Sequence, residues 1–547
     1  MAYYKDIREH IAALEKAGKL RRLKFPINKD TELQPLMRWQ FRGLPEEQRQ
    51  TFLFENIHDV KGNKYNIPVV LGCLAGSREI YAIGMQCKPE EISEKWTKGQ
   101  RNPIEPKLVT SAPCQEEVHM GGNLLEHGGL GEFPIPISTP GFDIAPYTTA
   151  SHWCTKDPET GIRNMGNYRG QVKAPNRLGI FETGAFSPPM QHIGIHWKKA
   201  RDMRQPLEAA VCIGVTPVLS YTAVAKIPYG VDEYAVAGGI AGEAVPIVRC
   251  KTVNIEVPAT SELVIEGLIS TEYFENEAPF GEYTGYMGAK TITSYMDVTA
   301  ITHRKNPIYT GFISQMPPSE SSKMRQMAYE GNFYKFLRYD CNIPAVQQVA
   351  LHESSGSNHY IVIQMKKVNL SQPWQALNAA VALDPQIGKV IIAVDSDVDP
   401  HDPDSVNWAL SFSMLPHQDI RIVTGKSSAL DYSVAPPNTR LMADATYPRP
   451  YGCSAVLIDA TRKWDYPPVS LPAKEFMEKA KEIWEREGLP PLKPKAPWHG
   501  YTLGYWSEEE QEEAALALEG EHYETGKKQA SNRIRVDDVY KSLGIRS

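Results

Sequence analysis

Ala209-Ala-Val-Cys-Ile-Gly214, Ile247-Val-Arg-Cys-Lys-Thr-Val-Asn-Ile-Glu-Val257 and Met296-Asp-Val-Thr-Ala-Ile-Thr-His303 are short apolar, β-branched runs separated by Pro and Gly punctuation. This texture begins near Phe133 and includes a turn signal at Asp157-Pro-Glu-Thr-Gly161, so residues 131–305 read as a β-barrel. Upstream, Ile7, Ile11 and Leu14 recur at helical spacing and Gly18 supplies a stop, which predicts an amphipathic opening helix. Ile67-Pro-Val-Val-Leu71 is strand-like, and with the segment after Ser77 it makes residues 1–130 an N-terminal α/β domain. Downstream of Asn306-Pro307, longer helical stretches alternate with Lys389-Val-Ile-Ile-Ala-Val394, which fits a buried strand, so residues 306–485 form a C-terminal α/β domain. Residues 486–547 are an extension: Leu489-Pro-Pro-Leu-Lys-Pro-Lys-Ala-Pro497 is a connector, and Ser507-Glu-Glu-Glu510 has the capping-box form that starts a helix through Ala514–Leu518. That helix is expected to pack on its own or a neighbouring subunit. The fold class is therefore multi-domain α/β around a central barrel.

A chain of 547 residues exceeds what one core usually supports and points to about three domains. Its 59 basic and 65 acidic side chains give a net charge of −6, which argues against a nucleic-acid surface. The eight cysteines form no Cys-x-x-Cys pair, so neither a thiolate zinc site nor a disulfide framework is indicated. The first residues lack a basic stretch followed by an apolar core, and no run approaches the ~18 apolar residues of a membrane helix, so a cytoplasmic protein without a membrane partner is expected. Asp395-Ser-Asp-Val-Asp399 imitates the start of a calcium loop, but Pro400 and Val406 occupy its sixth and twelfth positions. It reads as an acidic loop after a strand. Dinucleotide, Walker and nucleophile-elbow motifs are absent.

Chemistry concentrates between Arg163 and Glu282. Asn164-Met-Gly-Asn-Tyr-Arg169, Gln191-His192, Glu233 and Glu277-Ala-Pro-Phe-Gly-Glu282 place polar ligands, a cation and paired carboxylates in otherwise apolar sequence. Along a straight strand Glu277 and Glu282 would face opposite ways, but Pro279-Phe-Gly281 forbids one, because proline fixes φ and glycine permits positive φ. A bend here lets the two acids converge. Converging carboxylates hold one proton between them or need a cation, and Arg169 is the candidate. The competing reading is two solvated loop acids. Asn164, His192 and Glu233 offer two oxygens and a nitrogen, a set suited to Mg²⁺ or Mn²⁺, although singly each residue reads as a turn amide, a satisfied histidine or a surface acid.

These blocks, with Ile227-Pro-Tyr-Gly-Val-Asp-Glu233, Val257-Pro-Ala-Thr-Ser-Glu262, Ala278-Pro-Phe-Gly-Glu-Tyr-Thr-Gly-Tyr286, Ile7–Leu20 and Asp459-Ala-Thr-Arg-Lys-Trp464, resemble the UbiD family of prenylated-flavin-dependent decarboxylases over roughly residues 1–485. The resemblance implies a split β-barrel that binds prenylated FMN, followed by a domain that mediates homodimers and, in some members, homohexamers. It implies that Asn164, Met165, Arg169, Gln191, His192 and Glu233 hold the cofactor. Asn164, His192 and Glu233 would ligate Mn²⁺ (or Mg²⁺) bridging to the flavin phosphate, with K⁺ nearby. Arg169, Glu277 and Glu282 would form the catalytic network, Glu282 being the proton donor. A flavin prenyltransferase would supply the cofactor. Decarboxylation of an unsaturated carbon leaves a localised carbanion that side chains cannot delocalise, so an electron sink is required. One departure is Ala455, in Gly452-Cys-Ser-Ala-Val-Leu-Ile-Asp459, where many members carry a lysine near the phosphate. Phosphate neutralisation then rests on the metal or another basic residue. Tyr283, with Tyr286, is either a substrate-pocket residue or a core strand aromatic. The implied activity is reversible, non-oxidative decarboxylation of an aromatic, heteroaromatic or α,β-unsaturated carboxylic acid. The alternatives are the carboxylating direction or an aryl-thioester substrate, and a non-catalytic flavin carrier or assembly subunit, which would have no need of a proton donor.

Overall fold

The computed structural model describes residues 2–181, 191–426, 430–431, 433–434, 453–502, 504–536, 539 and 542. The chain opens with the helix Ile7–Lys16, whose Asp6 cap accepts hydrogen bonds from the Arg8 and Glu9 amides and whose Ile7, His10, Ile11 and Leu14 are buried. Thr51–Phe54 pairs with Leu20–Leu23 and Val69–Leu71, and Val69–Leu71 pairs in turn with Tyr309–Thr310, so this N-terminal sheet takes its edge from beyond residue 305. Ser77 caps the helix Arg78–Met85.

The central sheet has nine strands. Its hydrogen-bonded path runs Arg163–Asn167, His152–Lys156, Leu207–Ile213, Leu263–Ile269, Tyr295–His303, Arg177–Ile180, Gly170–Ala174, Tyr147–Thr148, with Glu117–Met120 also paired to Tyr295–His303. Strands at opposite ends of this path are joined by very short links. Thr149–Ser151 joins one pair of ends, and Tyr168-Arg169 leads from the first strand to the penultimate one. A flat sheet would hold those ends several strand spacings of ~4.8 Å apart, so the sheet must roll. The result is a half-barrel whose seam carries Arg169.

One expectation is corrected here. The run 247–257 is not a barrel strand. It breaks into Pro246–Arg249 and Glu256–Pro258, an antiparallel pair joined to Lys107–Leu108 in a separate three-stranded sheet, because the polar Lys251–Asn254 stretch turns the chain back. The acidic stretch after strand Val390–Asp395 is a loop as expected, but it serves Arg462, whose guanidinium bonds both Asp397 oxygens.

The C-terminal sheet has the order Val346–Leu351, Tyr360–Met365, Val390–Asp395, Ser454–Ala460, Ile420–Thr424, and its middle three strands are parallel. The helix Glu320–Lys335 links it to the rest. Glu320, fully buried, accepts hydrogen bonds from the Gly72, Leu74 and Ala75 amides, which pins that helix to the N-terminal sheet. One apolar core runs from Ile7 through Trp96, Val218 and Met327 to Ile361, so the three bodies share an interior. The Ser507/Glu510 capping box starts the helix Glu508–Leu518, which buries none of its residues. Among the described residues no helix is long and apolar enough to cross a membrane.

Candidate active site

Arg169 stands where the strand Arg163–Asn167 gives way to Gly170–Ala174. Its guanidinium bonds Glu277 in a fork, Nε to Oε1 at 2.8 Å and Nη2 to Oε2 at 2.7 Å, while Nη1 donates to Glu282 Oε1. Glu277 is completely buried and Glu282 is 8% exposed, so the reading as solvated loop acids is excluded. Burial works against the Arg169 charge, but the Glu277 carboxylate more than compensates and its pKa stays raised. Phe181 and Phe280 flank the guanidinium, with ring centres 4.4 and 5.2 Å away. With both acids ionised, the trio would carry a net negative charge in a water-poor site. The fork belongs to Glu277, and Glu282 takes the remaining guanidinium nitrogen.

The hairpin that makes this possible differs in detail from the sequence expectation. Glu277 ends strand Glu275–Glu277 and Glu282 follows Phe280–Gly281. The turn is made at Ala278, whose φ is +68°, and at the following Pro279. Gly281 does not supply positive φ. A Cβ there would lie 2.7 Å from Thr139 Oγ1 and 3.0 Å from Gln315 Cγ, so glycine is required by close approach. Asp143 accepts the Gly281 and Thr139 amides, and burial pushes its carboxyl up to about 6.

Asn164, His192 and Glu233 also converge. Asn164 lies on strand Arg163–Asn167, while His192 and Glu233 each open a helix, His192–Asp202 and Glu233–Ala241. His192 Nδ1 lies 3.2 Å from Asn164 Oδ1 and 3.6 Å from Glu233 Oε1, and the Met165 amide donates to Glu233 Oε2 at 3.0 Å. Burial raises the Glu233 pKa, partly offset by the His192 contact. Two oxygens and one imidazole nitrogen gathered at two helix N-termini are suited to a hard divalent cation beside an anionic group.

Two adjoining cavities of about 210 Å³ each connect these clusters. Arg169, Phe181, Phe280, Glu282 and Tyr283 line the first, Asn164, Met165, His192 and Glu233 line the second, and Gln191, Lys226, Arg325 and Tyr329 line both. Arg325 Nη1, Gln191 Oε1, Asn164 Nδ2 and Asn167 Oδ1 are buried without a hydrogen-bond partner among the described residues. Buried polar atoms are rarely left unpaired, and these belong to residues lining the cavities, so they fit a polar ligand there. Lys226 and Arg325 are the basic residues that the sequence reading missed. Lys226 is hidden in the Ile227-Pro motif, and Arg325 lies on a helix so rich in polar residues that it reads as solvated, although Glu320, Ser321, Ser322, Lys323 and Gln326 are all buried there. Both line the cavities, with the Lys226 ammonium 2.9 Å from Asp384, whereas Ala455 is buried opposite Val423 in the C-terminal sheet and lines neither. Gly452 lies outside the described residues. Tyr283 lines the first cavity with its ring 4.3 Å from the Arg325 guanidinium and its hydroxyl accepting from Asn358 Nδ2 at 3.1 Å. Tyr286 is 66% exposed and lines neither of these two cavities, but it lines a third one together with Tyr283.

Residues 107–317 match the 3-octaprenyl-4-hydroxybenzoate carboxy-lyase Rift-related domain, and residues 323–460 match the C-terminal domain of the same carboxy-lyase. An uncharacterised protein of Aquifex aeolicus is 31% identical over 518 residues, covering 89% of this chain and 99% of its own. The chain belongs to the UbiD family. The UbiD-class enzyme HmfF from Pelotomaculum thermopropionicum, solved as an evolved dimeric form with prFMN, superposes with a TM-score of 0.73 at 29% identity, covering 88% of this chain and 100% of that one. The vanillic acid decarboxylase of Sedimentibacter hydroxybenzoicus, in its closed form, gives a TM-score of 0.73 at 26% identity over 89% of this chain and 100% of its own. UbiD membership makes the chain a carboxy-lyase of the decarboxylase class.

Proposed function

We propose that this UbiD member catalyses reversible, non-oxidative decarboxylation of an aromatic or heteroaromatic carboxylic acid with prenylated FMN. The observation that carries the reading is the buried Arg169 forked to Glu277 and touching Glu282 at one end of a cavity whose other end is the Asn164/His192/Glu233 cluster. Bound there, a prenylated flavin would supply the electron sink that no side chain offers. Asn164, His192 and Glu233 would hold Mn²⁺ or Mg²⁺ against its phosphate, with K⁺ as a companion ion, while Met165 and Gln191 line its path. Lys226 and Arg325 add positive charge where the expected lysine is missing. Phe181, Phe280, Phe312, Tyr283 and Tyr329 give the cavity aromatic walls, which favours a flat ring over an aliphatic acid.

In this scheme Arg169 keeps Glu277 ionised and orients the reacting carboxylate, and Glu282 delivers its proton to the carbon that has lost CO₂. Read backwards, Glu282 removes that proton and the same site carboxylates, with CO₂ concentration setting the direction. Residues 131–305 would form the cofactor-binding part, residues 306–485 the surface for a homodimer or homohexamer, and a flavin prenyltransferase would load the enzyme. The test is Glu282→Gln, assayed for release of labelled CO₂ across a panel of aromatic acids and their thioesters with reconstituted cofactor. The variant should retain flavin and lose about 10²–10⁴-fold in turnover. Near-normal turnover would overturn the proton-transfer role.

A further inference from the structure

A second cluster of ligating side chains lies away from the two cavities, where residues 117–132 meet the end of strand Tyr295–His303. The antiparallel register sets His119 opposite Ile301 and Glu117 opposite His303, so His119 and His303 project from the same face as diagonal neighbours. His127 follows the short helix Gly122–Glu126 and stacks on His119, ring centres 3.8 Å apart, and the His303 ring meets His119 edge-on at 5.1 Å. Glu132 ends the turn Gly129–Glu132 and places Oε2 3.0 Å from His119 Nδ1 and Oε1 3.7 Å from His303 Nε2. His119 and His303 are 5% and 6% exposed. Yet His119 Nδ1, Glu132 Oε2 and His303 Nε2 are all buried without a properly directed hydrogen bond among the described residues. The Glu132 carboxylate thus lies between two imidazole nitrogens, and three buried polar atoms left without a directed hydrogen bond are costly unless something fills the space beside them.

We propose that His119, His127, His303 and Glu132 bind a zinc-type divalent cation that fastens residues 117–132 to the half-barrel. One ligand atom each from His119, His127 and Glu132 already lies within 4.8 Å of the others. His303 Nδ1 is 2.8 Å from the Arg304 carbonyl and donates to it, which leaves the lone pair on Nε2, the nitrogen that faces Glu132. Three imidazoles and one carboxylate are the tetrahedral donor set of zinc, whereas the oxygen-rich Asn164/His192/Glu233 set suits a harder, octahedral ion. Closing the shell requires His127 to turn out of its stack, which its exposed position permits.

The test uses full-length protein stripped with a chelator and titrated with cobalt chloride, then with zinc chloride. Wild type should develop the intense visible bands of tetrahedral cobalt, displaced by zinc, and zinc should raise its melting temperature. His127→Ala, at an exposed position, and His303→Gln should lose the bands and bind zinc at least about tenfold more weakly, whereas Glu233→Gln should keep both responses. Absence of the bands in wild type overturns the proposal. So does their loss in Glu233→Gln with retention in His127→Ala, or an equal zinc-induced melting shift in wild type and His127→Ala.

Discussion

Substituting each acid of the Arg169 pair separately should divide stability from catalysis. In Glu277→Gln the side chain keeps its shape, but the fork of 2.7 and 2.8 Å bonds loses its charge and one Arg169 N–H then faces an amide N–H. Breaking a buried ion pair from one side costs about 3–5 kcal/mol, and because Glu282 still offers partial neutralisation the lower end, about 3 kcal/mol, applies. The surviving Glu282 becomes the sole counter-ion of a buried guanidinium and is held ionised, so it can no longer carry a proton and turnover should fall at least about 10²-fold. In Glu282→Gln the fork remains and the glutamine oxygen still accepts from Arg169, so the stability cost should be only about 1 kcal/mol while turnover falls comparably. Urea unfolding followed by fluorescence, alongside CO₂ release by the same preparations, reads both quantities. Equal stability losses, or a larger loss in Glu282→Gln, would refute the assignment of the fork to Glu277 as the structural anchor and of Glu282 as the proton carrier.

Lys226→Met and Arg325→Met should each weaken FMN binding, followed by flavin fluorescence, by roughly 10- to 100-fold, the worth of one charge-assisted hydrogen bond of about 1.5–3 kcal/mol; unchanged affinity in both would place the phosphate elsewhere. Glu330 is buried, which opposes its charge, but Arg78 and His401 pull its pKa from 4.5 down to about 2. A carboxyl depressed in the folded state contributes stability above its unfolded pKa and loses it as pH falls through the folded value, here a span of about 3 kcal/mol. The stability advantage of wild type over Glu330→Gln should therefore shrink between pH 4.5 and 2, and a pH-independent difference in urea midpoint would contradict it. Gly99→Ala would set a Cβ 2.3 Å from Ile240 Cγ1 and force apart the helices Ile92–Arg101 and Glu233–Ala241. It should cost about 1–3 kcal/mol in thermal or chemical unfolding, and no loss would mean that the second helix shifts freely.

Local signals were legible where chain chemistry acts locally. The Ile7/Ile11/Leu14 spacing and the Ser507/Glu510 box each produced the element they announce. The convergence of Glu277 and Glu282 was readable because Pro279 leaves few straight paths, yet the residue that takes positive φ is Ala278, which composition does not mark. The run 247–257 was misread because its alternating β-branched residues suit a barrel strand and the tight return at Lys251–Asn254 resides in polar residues that also occur within strands. Arg325 and Lys226 were invisible for a different reason. Both line a cavity assembled from distant segments, and on the helix that carries Arg325 a buried polar face has the same sequence as an exposed one.

The seam of the half-barrel makes the chemistry sensitive to chain length at one point. Tyr168-Arg169 spans the gap between strands at opposite ends of the hydrogen-bonded path, so one inserted residue there would translate the guanidinium by up to ~3.5 Å relative to Glu277. A proline-rich insertion in Leu489–Pro497 meets no such constraint. Evolutionary drift in this architecture is therefore free to lengthen its tail, while the two-residue bridge must keep its count.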